Sequence, residues 1–284
     1  MSKIAVIGII GNSVFLPVLS FHKGGETVEA SSIHFEVGGK GFNQAVAARR
    51  CGAEVSFLAA VGREGVNDFS SFLDTEGIRH TLVLKDESTA FAAIVTDSTG
   101  SNRVTVYQGA ELTAPDVLSF EGEIASADIL LLNNEVPECV NIEAVKLAKK
   151  HGVRCILNPA PARKTDSFIL ENTYLFTPNE HETLGIESKE NVIVTIGKRG
   201  CLIKKTGEIV PACDLGATVD TTGAGDTFNG VLAAMLSDGS SLREAAKIAN
   251  RVAALGVTRK YAVSSIPTSS EIHRIMDENR EENT

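Results

Sequence analysis

Asp220-Thr221-Thr222-Gly223-Ala224-Gly225-Asp226-Thr227-Phe228-Asn229-Gly230 is the stretch that decides the reading of this 284-residue chain. A strand end leads into a glycine-rich turn, and the turn opens a helix. The unpaired N–H groups of such a turn, reinforced by the helix dipole, make a pocket for an anion. Asp226 falls in the first helical turn, facing whatever anion binds there. A bare carboxylate beside a phosphate site is electrostatically unfavourable. It becomes intelligible if it takes a proton from an attacking hydroxyl. A carboxylate in a first turn also serves as an ordinary cap, so these residues alone leave both roles open.

Working outward, a second glycine cluster, Gly38-Gly39-Lys40-Gly41-Phe42-Asn43-Gln44, lets backbone approach a ligand closely, with Lys40 and Asn43 as donors at a helix start. Two further segments follow apolar strands: Asn158-Pro159-Ala160-Pro161-Ala162-Arg163 and Thr177-Pro178-Asn179-Glu180-His181-Glu182. Ligand groups gather at the carboxyl ends of parallel strands. Asn179 and Glu182 are three residues apart, so one helical turn puts them on one face. There they can hold water around Mg²⁺, an ion that keeps several waters when bound. A solvated helix start explains the same pair. The Walker pattern is absent, because Gly39-Lys40 precedes Gly41 and Gly197-Lys198 precedes Arg199. No G-x-G-x-x-G follows the first strand, so a nicotinamide oxidoreductase loses support as well.

The rest of the chain organises around these segments. Residues 4–10 and 55–61 are apolar and rich in β-branched side chains, as strands buried on both faces require. Residues 28–37 partly alternate polar and apolar. Residues 43–50 and 66–76 read as helices, stopped by Gly52 and Gly77. Short strands at 81–84, 91–96 and 103–107, separated by turn residues, join residues 14–35 in a small antiparallel sheet. After Pro115 strands at 129–132, 155–157, 174–176 and 192–196 alternate with a helix at 142–151. Helices at 224–236, 242–255 and 270–278 close the chain. Such alternation predicts right-handed crossovers and a mostly parallel sheet with helices on both faces. The expectation is one α/β domain over residues 1–284 with a β lid from about 12–36 and 81–108.

Composition agrees. The chain is 43% hydrophobic, which provides enough apolar surface for a core. With 27 Lys+Arg against 36 Asp+Glu and no Trp, it repels nucleic acid and anionic lipid and offers few stacking platforms. The odd count of 5 Cys, without C-x-x-C spacing, reads as separate reduced thiols of a cytoplasmic protein. Residues 4–21 are mostly apolar but interrupted by Gly8, Gly11, Asn12, Ser13 and Pro17. They read as two strands flanking a Gly-Asn-Ser turn, not as a signal peptide or a membrane helix.

Segments 38–44, 158–163, 177–180, 195–200, 220–230 and 257–260 match, in order, the motifs of one family. From Ile4 to Pro267 the chain resembles the ribokinase-like (PfkB) sugar kinases, and their ribokinase branch above all. The resemblance implies a central mostly parallel sheet flanked by helices with a small β lid, ATP and Mg²⁺ as cofactors, K⁺ as an activating ion, and a homodimer formed through the lid. It also implies roles for particular residues. Asp226 matches the catalytic base, and Gly223, Ala224 and Gly225 match the anion hole. Asn179, Thr195, Ile196, Gly197, Lys198, Arg199, Gly200, Gly225 and Asn250 match nucleotide-binding positions. Gly11, Asn12, Ser13, Gly39, Lys40, Gly41, Phe42, Asn43, Glu135 and Asp226 fall on the sugar side. Glu182 is implied in Mg²⁺ binding through water. Asp220, Thr222, Gly256, Arg259, Tyr261 and Ser265 are implied in a monovalent-cation loop, largely through carbonyl oxygens.

The chain departs from the family in three places. An Asn and an Asp that hold sugar hydroxyls after the first strand are replaced by Gly11 and Ser13, so no carboxylate stands there. The stretch 182–191 is shorter than usual. Phe42 replaces a small residue and is expected to line or narrow the sugar pocket. The reading is an ATP-dependent kinase acting on a primary hydroxyl of a sugar or sugar-like molecule. A nucleoside kinase of the same fold and a catalytically weak sugar- or nucleotide-binding regulator are the alternatives.

Overall fold

The computed structural model describes residues 2–99 and 101–282. In chain order the elements are β1 (Lys3–Ile7), β2 (Gly11–Pro17), β3 (His34–Gly38), α1 (Lys40–Arg50), β4 (Glu54–Gly62), α2 (Val66–Thr75), β5 (Arg79–Lys85), β6 (Ala90–Thr96) and β7 (Asn102–Tyr107). Then come α3 (Ala114–Leu118), α4 (Glu121–Ala125), β8 (Ile129–Asn133), α5 (Glu138–His151), β9 (Arg154–Asn158), α6 (Ser167–Asn172), β10 (Leu175–Phe176), β11 (Ile193–Thr195), β12 (Cys201–Ile203) and β13 (Glu208–Val210). The chain closes with α7 (Ala224–Ser237), α8 (Leu242–Gly256) and α9 (Ser269–Glu282).

Six parallel strands form the central sheet in the order β10-β9-β8-β1-β4-β5. The period of two along each strand sends its side chains into two separate cores. Ile4 and Val6 of β1, with Ile129 and Leu131 of β8, pack under α1, α7 and α8. Ala5 and Ile7, with Leu130 and Leu132, pack under α3, α4 and α5 on the opposite face. This is why both strands read as unbroken apolar runs. Burial of each such side chain is worth about 1.5–3 kcal/mol. Gly230 of α7 packs directly on α1: a Cβ there would lie 2.3 Å from the Gln44 carbonyl oxygen.

The lid is a four-stranded sheet in the order β3-β2-β6-β7. It is mixed, since β2 pairs with β6 in parallel and the outer pairs are antiparallel. An antiparallel lid was expected, and the parallel pairing of β2 with β6 corrects it; residues 192–196, expected in the parallel sheet, give β11 of a separate antiparallel sheet; and three boundaries change. Residues 81–84 belong to β5, which pairs in parallel with β4 at the edge of the central sheet, so they are not lid. The helix α2 between them makes a β-α-β crossover that three short strand signals in a row concealed. Residues 11–13 form no turn, because β2 begins at Gly11. Of the stretch 28–37 only residues 34–37 are strand, the start of β3, with an isolated bridge from Ala30 to Val18 before them. The expected turn between β6 and β7 includes Gly100, which lies outside the described residues.

Strand register sorts the lid side chains into two faces. Ser13, Phe15, His34 and Glu36 share the face that meets residues 261–264 of the body. Asn12, Val14, Phe35, Phe91 and Tyr107 share the other. Beyond the central sheet, β11, β12 and β13 make a small antiparallel sheet tied to it by parallel bridges from Phe176 to Val192 and from Asn179 to Thr195. Among the described residues no helix is long and apolar enough to cross a membrane.

Candidate active site

The site assembles where α1 and α7 cross beneath the carboxyl ends of the central strands. Gly39 precedes α1 with φ 111, and its position leaves the Ile9 carbonyl 2.3 Å from where a Cβ would stand. Only glycine admits that backbone and that contact together. α1 then opens with Lys40, and Asn43 and Gln44 come round to face α7. Asn43 Nδ2 donates to Asp226 Oδ2 at 3.0 Å, and Gln44 Nε2 donates to Asp226 Oδ1 at 3.1 Å. Asp226 is buried in the first turn of α7, directly after Gly223, whose backbone is left-handed. Its side chain does not cap the helix; it is held from outside, between two amides of α1.

A relay of hydrogen bonds fixes this arrangement. Gln44 Nε2 also donates to Asn158 Oδ1 at 3.2 Å, and Asn158 Nδ2 donates to the Thr177 carbonyl at 2.9 Å. Thr177 Oγ1 donates to Asn229 Oδ1 at 2.5 Å, and Asn229 Nδ2 returns to the Gly225 carbonyl at 2.8 Å. Asn158 and Thr177 stand at the ends of β9 and β10, so the central sheet itself sets the position of the α7 N-terminus.

Charge converges on the same point. Asp226 above all, with Glu135 adding to it, holds the Lys40 ammonium above the usual lysine value against the opposing effect of burial. Burial dominates at Glu135 and pushes its carboxyl up to about 7, although its Oε2 accepts from the Lys40 backbone N–H at 2.7 Å. The Asn43 Oδ1 oxygen is buried without a partner, which leaves an acceptor beside Asp226 for a hydroxyl donor.

Two cavities meet here. The smaller, about 310 Å³, is lined by Lys40, Asn179, Glu182, Thr222, Gly223 and Asp226 among others. The larger, about 670 Å³, runs from Asn179, Thr195 and Gly225 over Gly197, Lys198 and Gly200 to Asn250. Asn179, Thr195, Thr221 and Gly225 line both. The volumes suit a small polar group set against a nucleotide-sized ligand. Glu182 Oε2 accepts from the Asn179 N–H at 3.0 Å across a turn, where a helix was expected. Among the described residues no three His, Cys, Asp or Glu side chains gather as a metal cage. A single carboxylate at the cavity edge fits a Mg²⁺ that keeps its waters and phosphate ligands.

The loop expected to hold a monovalent cation is packed against Gly223. Asp220 Oδ1 accepts from the N–H and Oγ1 of Thr222, and its Oδ2 accepts from the Tyr261 N–H at 2.9 Å. Ser265 Oγ donates to the Ala262 carbonyl, and the Gly256 carbonyl accepts from the Arg259 N–H. The Arg259 guanidinium is taken up by Glu271 at 2.6 Å, so only its backbone could serve a cation. The donor set is all oxygen, the kind that suits K⁺.

Several expected site residues stand elsewhere. Phe42 is fully buried in the core, edge-on to Phe72 at 5.3 Å, so its side chain does not line a sugar pocket. Its place on α1 faces the sheet, and a single-residue motif match carries no information on side-chain direction. Asn12 is exposed on the lid face turned away from the body, whereas Ser13 is buried on the facing side. Ile196 is buried and lines neither cavity, and Arg199 pairs with Glu180 at 2.5 Å. Asn250, by contrast, does line the larger cavity, and its amide donates to the Val210 carbonyl at 2.9 Å and braces the rim. The segment 212–218 lines the nucleotide-sized cavity, and nothing in its irregular sequence announced this. Gln44, Asn158, Thr177 and Asn229 sat inside the quoted motifs without an assigned role. Their buried amide and hydroxyl groups in otherwise apolar surroundings were the available signal.

The pfkB family carbohydrate kinase model matches residues 1–269, and the chain belongs to that family. Ribokinase of Haemophilus influenzae is 34% identical over 295 residues, covering 94% of this chain and 96% of that protein. A bifunctional ribokinase/ribose-5-phosphate isomerase A of Fructilactobacillus sanfranciscensis is 34% identical over 311 residues. These cover 99% of this chain, which spans 57% of that longer protein. The solved ribokinase of Thermotoga maritima superposes with a TM-score of 0.86 at 31% identity, covering 98% of this chain and 100% of that one.

Proposed function

We propose that this chain transfers the γ-phosphoryl group of ATP to a primary hydroxyl of a sugar or sugar-like molecule. The observation that carries this is Asp226: a buried carboxylate held by Asn43 and Gln44, set between an anion-binding turn and Lys40, where two cavities meet. The nucleotide lies in the larger cavity and the acceptor hydroxyl points at Asp226 from the smaller. Asp226 takes the hydroxyl proton as the oxygen bonds to the γ-phosphorus, and the bond from that phosphorus to the β–γ bridging oxygen breaks to release ADP. The N–H groups of Gly223 and Gly225 and the Lys40 ammonium face the charge that accumulates on the transferring group, while the Ala224 N–H, expected beside them, donates to the Thr221 carbonyl at 3.2 Å and closes the turn.

Glu182 and Asn179 would hold Mg²⁺ through water, and this ion supplies charge neutralisation between the phosphates. Asp220 and the carbonyls of Thr222, Gly256, Arg259, Tyr261 and Ser265 would hold K⁺ against the turn. Glu135, Asn43, Ser13 and the backbone at residues 39–41 face the acceptor. Phe35, Phe91 and Tyr107 are exposed on the outer lid face, and a second copy of the chain covers them in a homodimer. Ile94 was expected on that face but pairs with Phe15 on the other. Light scattering at micromolar concentration giving the mass of one chain would refute the dimer.

The reading is tested by incubating the purified chain with ATP, Mg²⁺ and a panel of pentoses, hexoses, deoxy sugars and nucleosides. ADP release is then compared with phosphorylated product by ³¹P NMR. Equimolar ADP and phosphomonoester support it; ADP without phosphomonoester from every acceptor contradicts it.

A further inference from the structure

Tyr261 is the one described residue other than glycine with positive φ, at 74. Such backbone costs on the order of 1–3 kcal/mol and persists only where its surroundings enforce it. What enforces it comes from the lid. The Tyr261 ring lies flat on the His34 ring, with centroids 3.7 Å apart and planes within 9°, and meets Phe15 edge-on at 5.0 Å. Beside these, the Glu36 side chain is buried between lid and body, only 4% exposed. Its Oε1 accepts from the Ala262 N–H at 2.7 Å, and its Oε2 accepts from Ser264 Oγ at 2.8 Å and from the Ser264 N–H at 3.3 Å. Phe15, His34 and Glu36 share one face of β2 and β3.

The loop they grip is the one that backs the anion turn. The Tyr261 N–H donates to Asp220 Oδ2, and Asp220 Oδ1 receives Thr222, the residue before Gly223. Gly223 itself packs on Ala262, whose Cα lies 3.3 Å from where a Gly223 Cβ would stand. A carboxylate with three charge-assisted donors is a stiff link, and this one joins β3 to the backbone directly behind residues 222–225.

We infer that Glu36 is a positioning residue: by clamping residues 262–264 to the lid it fixes, through Tyr261 and Asp220, the direction of the N–H groups of the anion turn. Glu36 touches neither cavity and acts only through that chain of contacts. The inference rests on the phosphoryl-transfer reading for its consequence in turnover, but its structural half stands apart from it.

The test uses Glu36→Ala and Glu36→Gln in the full chain. Glutamine keeps one acceptor oxygen and loses the second, so it should lie between wild type and alanine. Hydrogen exchange by mass spectrometry is read on peptides covering 218–226 and 258–266, alongside kcat and the KM for ATP. Glu36→Ala should raise exchange about tenfold or more in both peptides, not only in 258–266. It should lower kcat about ten- to a hundredfold, the scale of a small misplacement at a reacting centre, with the KM for ATP within about twofold. Wild-type exchange over 218–226 in Glu36→Ala overturns the inference whatever the turnover. So does faster exchange with unchanged kcat, or a loss confined to the KM for ATP. If wild type itself transfers no phosphoryl group, the kinase reading has failed and the exchange arm alone decides the link.

Discussion

Gly230→Ala sets two local rules against each other. Gly230 sits inside α7, where alanine is favoured over glycine by about 1 kcal/mol. On helix propensity alone the substitution stabilises. The packing says otherwise, because the new Cβ would meet the Gln44 carbonyl oxygen at 2.3 Å, the Ala47 Cβ at 2.6 Å and the Ala48 nitrogen at 2.8 Å. Non-bonded carbons rest about 3.5–4.0 Å apart, so α1 and α7 must separate by roughly 1 Å. Overpacking of this kind costs about 1–3 kcal/mol, and for a chain of this size each kcal/mol moves Tm by roughly 2–4 °C. The same separation would stretch the 3.1 Å bond from Gln44 to Asp226 beyond hydrogen-bonding range. Losing one hydrogen bond to a charged group is worth about 1.5–3 kcal/mol, or roughly ten- to a hundredfold in kcat/KM. Differential scanning fluorimetry should therefore show a fall of roughly 2–12 °C, and a coupled ADP assay that ten- to hundredfold loss, with ADP affinity by calorimetry retained because the larger cavity is untouched. A raised Tm with wild-type kcat/KM would refute the crossing of α1 and α7 as the element that sets Asp226.

Glu135→Gln tests the buried carboxyl by pH. Below pH 4.5 the group is protonated in folded and unfolded chains alike; between 4.5 and about 7 only the folded chain keeps its proton. Wild type should therefore lose stability relative to the variant as pH rises through that window, by up to roughly 3 kcal/mol, and level off above it; a difference independent of pH in urea titrations at pH 5 and 8 contradicts this. Ser13 is buried on the lid face that meets the body, and under the proposed reading it would offer one short neutral contact where a carboxylate would accept from two hydroxyls. Ribose should then be a poorer substrate than deoxy sugars or nucleosides, and Ser13→Asp should raise kcat/KM for ribose by about ten- to a hundredfold; wild type preferring ribose, with no gain in the variant, would show the pocket misread. Replacing K⁺ by tetramethylammonium at equal ionic strength should lower kcat, since a cation held, as proposed, by Asp220 and the neighbouring carbonyls would order the turn it abuts; equal rates in the two salts dismiss the site.

Much of the fold was legible because its signals are local. Ile4 to Ile7 and Ile129 to Leu132 are apolar at every position, which only a strand covered on both faces tolerates. The helices α1 and α2 are stopped by Gly52 and Gly77, which follow just after them in sequence. The lid boundary was not legible, because residues 79–85 carry the same short β-rich signal as true lid strands, and only the crossover through α2 assigns them to β4. At the site, glycine spacing located the turn and Asp226. The partners that aim Asp226 come from 183 and 182 residues away in sequence, and no local pattern encodes that distance. Phe42 failed for a related reason: a motif fixes where a residue sits on the chain, not which way its side chain leaves the helix. Glu36 reads as a half-exposed strand residue until residues 262–264 fold against it.

The central claim is that Asp226 removes the proton from an acceptor hydroxyl during transfer from ATP. Asp226→Asn keeps the shape of the side chain and one acceptor oxygen for Gln44 Nε2, and Asn43 can turn its amide to offer its unpartnered Oδ1 to the new N–H₂, yet the variant cannot take the proton. With the best acceptor of the panel, single-turnover phosphorylation by the variant should fall by about 10²–10⁴-fold, while calorimetry gives wild-type affinity for ADP. Transfer by Asp226→Asn at near the wild-type rate would contradict the account.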